Sequence, residues 1–215
     1  MDAIIDVTPL YLEGFTQTLI LLAISGAGAF VIGVIIAAMR ISPVPALRVF
    51  ATVYTEIFRN IPLLLVLFFC AFVLPILGSK LDFFTLALIG LTLYTSPFVA
   101  EAVRSGINGV PVGQAEAARS IGLGFGQTVG LVVLPQAGRM VVPPLINVFI
   151  ALTKNTSVAG AFFVDELFKA ANEATRDHGN QVLLMLLYAA ALYLAVTVPL
   201  GLIAGAIEKK VRVLR

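Results

Sequence analysis

Long apolar runs dominate the pattern of hydrophobic and polar positions along this chain. A helix needs about 20 mostly apolar residues to cross about 30 Å of hydrocarbon. Five runs come close to or exceed that length, at residues 15–39, 61–77, 83–100, 140–164 and 182–207. Lys154 is the one charged residue inside any of them. The pattern therefore predicts an all-α integral membrane protein with five transmembrane helices and its termini on opposite faces.

The basic residues between these runs predict the orientation. Cytoplasmic loops retain an excess of Lys and Arg. One predicted face collects ten basic residues, namely Arg40, Arg48, Arg59, Arg104, Arg119, Arg139, Lys209, Lys210, Arg212 and Arg215. The other collects three, namely Lys80, Lys169 and Arg176. We therefore expect the N-terminus outside and the C-terminus inside.

Composition narrows the functional class. Of the 215 residues, 60% are hydrophobic and 12% are charged, whereas a soluble domain carries about 25% charged residues. This nearly excludes a soluble enzyme, and a net charge of +2 is too small for a nucleic-acid surface. With one cysteine, Cys70, and one histidine, His178, we expect no disulfide framework, no metal site and no cofactor bound by this chain.

Nucleotide chemistry is also missing from the sequence. A phosphate loop ends in Gly-Lys-Ser/Thr, and no lysine here follows a glycine. The chain is therefore expected either to be a self-contained ion-coupled carrier or channel, or to be the membrane part of a machine that is driven by another subunit. A carrier would be expected to show carboxylates inside the membrane or an inverted repeat. Glu101, close to the inner end of the third run, is the nearest such carboxylate, and we find no repeat.

Between the apolar runs, the chain has the organisation of one membrane domain over residues 1–215. Residues 1–14 are expected to form a short external segment, and 40–60 an internal loop bounded by prolines. Residues 165–177 are expected to form an external, charged helix. The one long polar stretch, 102–139, is predicted to be internal and to hold two short helices around Gly122-Leu123-Gly124.

The internal loop carries the most specific motif. Small residues such as Ala117 and Ala118 let a helix press into a groove on another protein, and Gly122 permits a sharp turn at its end. Glu116 and Arg119 are one turn apart and could pair with each other or with a partner. The motif reads Gly113-Gln114-Ala115-Glu116-Ala117-Ala118-Arg119-Ser120-Ile121-Gly122, with Leu134-Pro135-Gln136 completing it.

This loop resembles the signature loop of permease subunits of binding-protein-dependent ABC importers. Pro135-Gln136 and residues 154–157 resemble the polar amino acid branch of this permease family. The sequence of residues 115–126 resembles that of actinobacterial glutamate permeases. The resemblance implies a type I permease fold with cytoplasmic coupling helices. It assigns ATPase coupling to Gly113, Gln114, Glu116, Ala117, Ala118, Arg119, Gly122, Leu134 and Pro135.

The resemblance also implies partners and a location. They are a cytoplasmic ABC ATPase dimer that binds ATP and Mg²⁺, a second permease subunit (a copy or a paralogue), an extracellular solute-binding lipoprotein and an amino acid substrate, with glutamate the leading candidate. The chain itself would be a multi-pass protein of the bacterial cell membrane that performs no bond chemistry and binds no nucleic acid.

Lys154 leads the candidates for the substrate pathway. A lysine near the bilayer centre costs about 2.5 to 3.5 kcal/mol, so it should face a partner or a wet cavity. The polar residues Asn155, Thr156 and Ser157 follow it and could interrupt the helix. Snorkelling to headgroups or a fixed pair with a carboxylate remains the alternative. Glu101, a further candidate, lies three residues from Arg104 and could pair with it, either as a headgroup anchor or as a gate at the inner mouth.

Overall fold

The computed structural model describes residues 2–213, and within that range it contains helices and no strands. We number eight helical elements in chain order. They are α1 (Asp2–Ile41), α2 (Pro45–Asn60), α3 (Leu63–Ile76), α4 (Phe83–Asn108), α5 (Val112–Ser120), α6 (Phe125–Phe162), α7 (Leu167–Asp177) and α8 (Val182–Val213). Four of them, α1, α4, α6 and α8, are long and apolar enough to cross a membrane.

Helices α1, α4 and α6 pack together as the centre of the bundle, and α8 lies against α6. The main core cluster joins side chains of four helices, such as Leu21, Leu67, Leu91 and Leu152. Gly33 lets α1 approach α4 closely, because a Cβ atom there would lie 2.6 Å from the Val99 side chain. Many large apolar side chains on the outer faces of α1 and α8 remain exposed, as expected of helices surrounded by lipid.

The first predicted segment is not separate from the first span. Helix α1 begins at Asp2, so the residues expected to form a short external segment continue the helix. Val7 and Tyr11 are buried against α7 and α8, and the Tyr11 hydroxyl donates to the Met185 carbonyl at 3.0 Å. These contacts with the rest of the protein stabilise the first turns of α1. The acidic residues at positions 2–13 had led us to expect a polar segment there instead.

The second predicted span, residues 61–77, is shorter than expected. Helix α3 covers 14 residues, about 21 Å of rise, and α2 meets it at a bend of 101°. The bend falls at Ile61-Pro62, where Ile61 is extended (ψ 137°) because a residue before proline avoids the helical region. The described residues thus contain four helices that are long and apolar enough to span a membrane, or five candidates if α2 and α3 together form one broken span.

The segment expected to be a loop at 40–60 is largely helix α2. Its Ala51 and Thr55 are buried, and Ala51 packs with Ile36, Ala37 and Ala100 of α1 and α4. The opposite side exposes apolar side chains, including Val49, Phe50 and Val53. Two buried small residues one turn apart let α2 lie directly across the bundle, which the prolines alone did not indicate.

One of the two short helices predicted in 102–139 is present, and the other is not separate. Helix α5 stands alone, but the helix that begins at Phe125 runs without a break to Phe162. A π-helical stretch at Thr128–Val133 lies just before Pro135. Proline clashes with the carbonyl four residues earlier, and the wider π turn accommodates that clash without ending the helix.

Candidate functional site

Helix α5 presents the signature residues on the surface. Gly113, Gln114, Glu116, Ala117 and Arg119 are all exposed, whereas Ala118 is buried. The buried side packs on the π-helical stretch of α6, where Thr128 is also buried. One alanine thus fixes α5 to the bundle and leaves the remaining faces free for another molecule.

Gly122 ends α5 in a left-handed conformation, with φ +91°. The Leu123 amide donates to the Ala118 carbonyl at 3.2 Å, and the Gly122 amide donates to the Arg119 carbonyl at 3.0 Å. This pair of bonds is the Schellman arrangement that closes a helix with glycine in the left-handed region. The sharp turn predicted at Gly122 is therefore present.

Large apolar side chains surround the exposed face of α5. Val112, Ile121 and Phe125 are 73%, 81% and 81% exposed, and Leu134 is 52% exposed beside Pro135. Val112 begins α5 and Ile121 follows its last residue, while Phe125 and Leu134 lie in the first part of α6. Exposed apolar side chains grouped in this way are typical of an interaction site. Glu116 and Arg119 form no ion pair with each other among the described residues, so both charges are available to a partner.

A cluster of charges lies at the same end of the bundle. The Glu101 carboxylate binds Arg104 of its own helix, as predicted. It also accepts a hydrogen bond of 2.6 Å from Arg40 at the end of α1, and the Arg59 guanidinium at the end of α2 lies 3.9 Å away. The sequence did not predict Arg40 and Arg59 at this site, because nothing in their spacing links them to Glu101.

Next to this cluster, a cavity of about 420 Å³ lies between α4 and α6. Asn147, Ala151 and Asn155 line it from one face of α6, while Thr95 and Phe98 line it from α4. The Thr95 hydroxyl is buried and has no hydrogen-bond partner. A buried hydroxyl without a partner is costly, so this cavity offers an unused polar group to a ligand or to water.

The four residues 154–157 lie on different sides of α6. Lys154 is exposed and belongs to no ion pair in the described part of the chain, while the next residue, Asn155, lines the cavity. Thr156 is buried, and its hydroxyl donates to the Thr153 carbonyl at 2.7 Å. Ser157 donates to the Lys154 carbonyl at 2.7 Å. The polar side chains bond to carbonyls of their own helix, so they do not interrupt it as we had expected.

Thr95 and Asn147 are lining residues that the sequence analysis missed. Asn147 precedes Asn155 by eight residues, so both lie on one face of a helix. That spacing of two amides within an apolar run was a usable signal for Asn147. Thr95 carried no such signal, because a threonine in an apolar run usually bonds to its own helix.

The fold is that of an all-helical membrane protein with a short, exposed helix, α5, at one end of the bundle. Comparison with known proteins identifies the family. Residues 29–213 match the model of the binding-protein-dependent transport system inner membrane component. The chain belongs to this family, and it is a permease subunit of a binding-protein-dependent amino acid ABC importer in the cell membrane.

Individual relatives cover nearly the whole chain. A glutamate transport system permease of Corynebacterium glutamicum is 41% identical over 97% of this chain and 96% of its own length. A probable glutamine ABC transporter permease of Bacillus subtilis is 40% identical over 98% and 97%. A solved amino acid ABC transporter with histidines is 28% identical, with a TM-score of 0.89 and 96% of each chain covered. Family membership decides against the ion-coupled carrier.

Proposed function

We propose that this chain forms the translocation pathway of an ATP-driven importer for glutamate. Its partners are a cytoplasmic ABC ATPase dimer, a second permease subunit and an extracellular solute-binding lipoprotein. ATP and Mg²⁺ bind to the ATPase, and the permease converts the movement of the ATPase into alternating access of the pathway. The observation that carries this proposal is the exposed, glycine-terminated helix α5.

Helix α5 is suited to docking on a soluble ATPase. Alanine and glycine on its exposed side let a partner's backbone approach, and Ile121 and Phe125 offer apolar contact area around it. The Schellman turn at Gly122 joins α5 to α6 through a connector of four residues, Ile121–Gly124. Such a short connector transmits a push on α5 directly to α6, which carries Lys154 and Asn155.

The acidic substrate is supported by the relatives and by charge. Two of the most similar permeases are named for glutamate, while others are named for glutamine and cystine. Lys154 supplies a cation that has no ion-pair partner among the described residues and lies next to the cavity-lining Asn155. A dicarboxylic amino acid carries a net negative charge that would neutralise that cation during passage, whereas glutamine is a zwitterion without net charge.

The same proposal includes the orientation and the fifth span. Arg40, Arg59 and Arg104 gather at one end of the bundle, and α7 packs on the opposite end of α1. By the positive-inside rule the arginine end is cytoplasmic, which puts α5 on the ATPase side. With α2 and α3 as one broken span, the N-terminus is external and the C-terminus internal.

Reconstitution of the complete complex tests this function. Vesicles holding the permease, its ATPase and the second subunit, supplied with the solute-binding protein, should take up labelled glutamate only with ATP. Glutamine and cystine, each presented with the same binding protein, serve as competing substrates. Glutamate uptake that follows an ion gradient without ATP would contradict the importer, and preferred uptake of glutamine would contradict the substrate.

A further inference from the structure

Glu166 is a fully buried carboxylic acid at the end of the bundle opposite the arginine cluster. It precedes the first residue of α7, and its side chain accepts hydrogen bonds from the Phe168 amide at 2.9 Å and the Lys169 amide at 2.8 Å. A carboxylate in this position caps the start of a helix. Acidic caps are ordinarily solvated, so complete burial is unusual and calls for a physical explanation.

The surroundings of Glu166 join three other helices to α7. The Tyr193 hydroxyl of α8 donates to the carboxylate at 2.8 Å, and Thr18 of α1 accepts from the Leu167 amide at 3.1 Å. Gly160, near the end of α6, leaves the space that the carboxylate fills, since an added Cβ atom would overlap it. The residues around Glu166 thus come from α1, α6 and α8, so this one acid lies where three helices of the bundle meet α7.

The connector before Glu166 is under backbone strain. Phe163 has φ +64°, a conformation that bulky residues rarely adopt. Phe163 turns the chain out of α6, so that Val164 and Glu166 point back into the bundle and are buried. Helix α6 thus ends in a strained turn three residues before the buried acid.

We call the contacts of Glu166 and the start of α7 with α1, α6 and α8 the joint. Burial of the carboxyl group determines which charge state of Glu166 favours the packed joint. Removal from water raises the pKa of Glu166 to about 7, although hydrogen bonds from Phe168, Tyr193 and Lys169 oppose the shift. The packed joint therefore binds a proton more tightly than an opened, hydrated joint. Because the pKa is raised, the stabilisation is complete below the ordinary glutamate value and is lost as the pH rises through about 7.

The other ionisable groups around the joint also favour the protonated, uncharged form of Glu166. A cavity of about 180 Å³ between α1 and α7 has Glu166 among its lining residues and also includes Glu13, Asp165, Lys169 and Glu173. Lys169 is paired with Asp165 and lies 4.0 Å from Glu173. From α6 the joint receives Thr156 and Gly160, which are uncharged. A negative charge on Glu166 would add to an acidic rim.

The far end of α7 also contacts α1. His178 Nε2, at the end of α7, lies 3.6 Å from the Asp6 carboxylate of α1. Helix α7 is therefore in contact with α1 at both of its ends.

We propose that Glu166 is a positioning residue whose protonation locks α7 onto α1, α6 and α8, and whose ionisation loosens this joint. The joint sets how readily the external end of the permease opens. This proposal rests on the family membership and not on the identity of the substrate. A failed glutamate uptake assay would therefore not contradict it.

The first test measures the proton itself in the complete complex. Infrared difference spectra between pH 5 and pH 8 should contain the C=O band of a protonated carboxylic acid that disappears with a midpoint near pH 7. The band should be absent in Glu166→Gln. Glu13→Gln, which removes an exposed acid lining the same cavity, should retain it. Tyr193→Phe removes a hydrogen bond to the carboxylate and should move the midpoint to higher pH.

The second test measures the joint. The Cys70→Ala background removes the one cysteine of the chain, and spin labels at Phe168→Cys and Lys80→Cys then report the distance from α7 to the turn after α3. Between pH 5 and pH 8 this distance distribution should broaden in the parent and stay unchanged in Glu166→Gln. An unshifted midpoint in Tyr193→Phe, or an equal broadening in Glu166→Gln, would overturn the proposal. If Glu166→Gln fails to assemble, Tyr193→Phe alone decides it.

Discussion

The Arg40 guanidinium donates a hydrogen bond of 2.6 Å to the Glu101 carboxylate, although 61 residues separate them along the chain. This contact fixes the end of α1 against the last third of α4. Arg104 and Arg59 approach the same carboxylate, so one acid holds three guanidinium groups from three helices. The predicted pair of Glu101 and Arg104 is confirmed, and it is one part of a larger junction.

The first prediction follows from that junction. Glu101→Gln should lower the stability of the complex by about 1.5 to 3 kcal/mol, the value of a hydrogen bond to a charged group, because three arginines lose their shared anion. Thermal unfolding in detergent measures it. Glu56→Gln is the matched control, since Glu56 is exposed and, among the described residues, its carboxylate accepts a hydrogen bond from Asn60 alone.

A double charge reversal distinguishes the two roles considered for Glu101 and Arg104, a headgroup anchor and a gate at the inner mouth. Glu101→Arg with Arg104→Glu keeps the pair on α4 but sets an arginine against Arg40 and Arg59. We expect normal membrane insertion, lower thermal stability and reduced uptake, because the junction between helices is lost. Normal stability with only lower expression would favour a simple headgroup anchor.

The second prediction concerns the turn that ends α5. Gly122→Val should leave the protein inserted and reduce the ATPase activity stimulated by the loaded binding protein by about fivefold or more. A left-handed conformation costs a residue with a β-carbon about 1 to 2 kcal/mol, and a Cβ atom added at Gly122 would have no described neighbour within 4 Å. The cost therefore falls on the turn and on the face offered to the ATPase.

Two further variants control the effect at Gly122. Gly122→Asn should retain more coupling than valine, because asparagine tolerates the left-handed region. Gly138→Val adds the same side chain on α6 in open space, at a glycine without positive φ, and should couple normally. Normal coupling in Gly122→Val would show that α5 does not transmit movement through this turn.

The third prediction concerns the contact between α1 and α4. Gly33→Ala should destabilise the protein by about 1 to 3 kcal/mol, the usual cost of overpacking, because the new Cβ atom would lie 2.6 Å from Val99 and 2.7 Å from the Ser96 carbonyl. Gly201→Ala is the control, since its Cβ atom would have one neighbour, at 4.0 Å. Equal unfolding temperatures for both variants would contradict the close approach of these helices.

The sequence predicted the long spans well and their ends poorly. Apolar runs located α1, α4, α6 and α8, since length and hydropathy decide which helices can cross a bilayer. The runs underestimated these helices because the polar residues at their ends continue to hydrogen-bond helically, as Phe125–Arg139 does before the predicted start of α6. The bend at Pro62 was visible as a boundary, but its angle depends on how α2 packs.

The turn at Gly122 was predictable from the sequence, and the contacts between helices were not. The positive φ at Gly122 follows from a local motif, so the sequence alone indicated it. Arg40, Arg59 and Glu101 meet only because α1 and α2 both end beside the last third of α4. Burial of Glu166 was hidden for the same reason: in sequence it is one more acid in a charged external segment, whereas packing of α1, α6 and α8 removes it from water.

The last prediction concerns Lys154 on α6. It is exposed on the single chain and has no ion-pair partner among the described residues, and the adjacent Asn155 lines the cavity that holds the unbonded Thr95 hydroxyl. An unpaired cation within a span is costly, so a glutamate carboxylate passing beside it would gain a favourable contact. Lys154→Met should reduce glutamate uptake about tenfold or more, equivalent to about 1.4 kcal/mol, at equal assembly of the complex.

The accompanying variants identify charge as the cause. Lys154→Arg should retain most of the uptake because the cation remains, and Lys80→Met, in the turn between α3 and α4, should behave as the parent protein. The measurement is the initial rate of glutamate uptake into vesicles at saturating binding protein and ATP, with glutamine as the neutral comparison. Since glutamine carries no side-chain charge, its uptake should change less. An equal loss for both substrates would assign Lys154 a structural role in α6, and unchanged uptake of both would exclude it from the pathway.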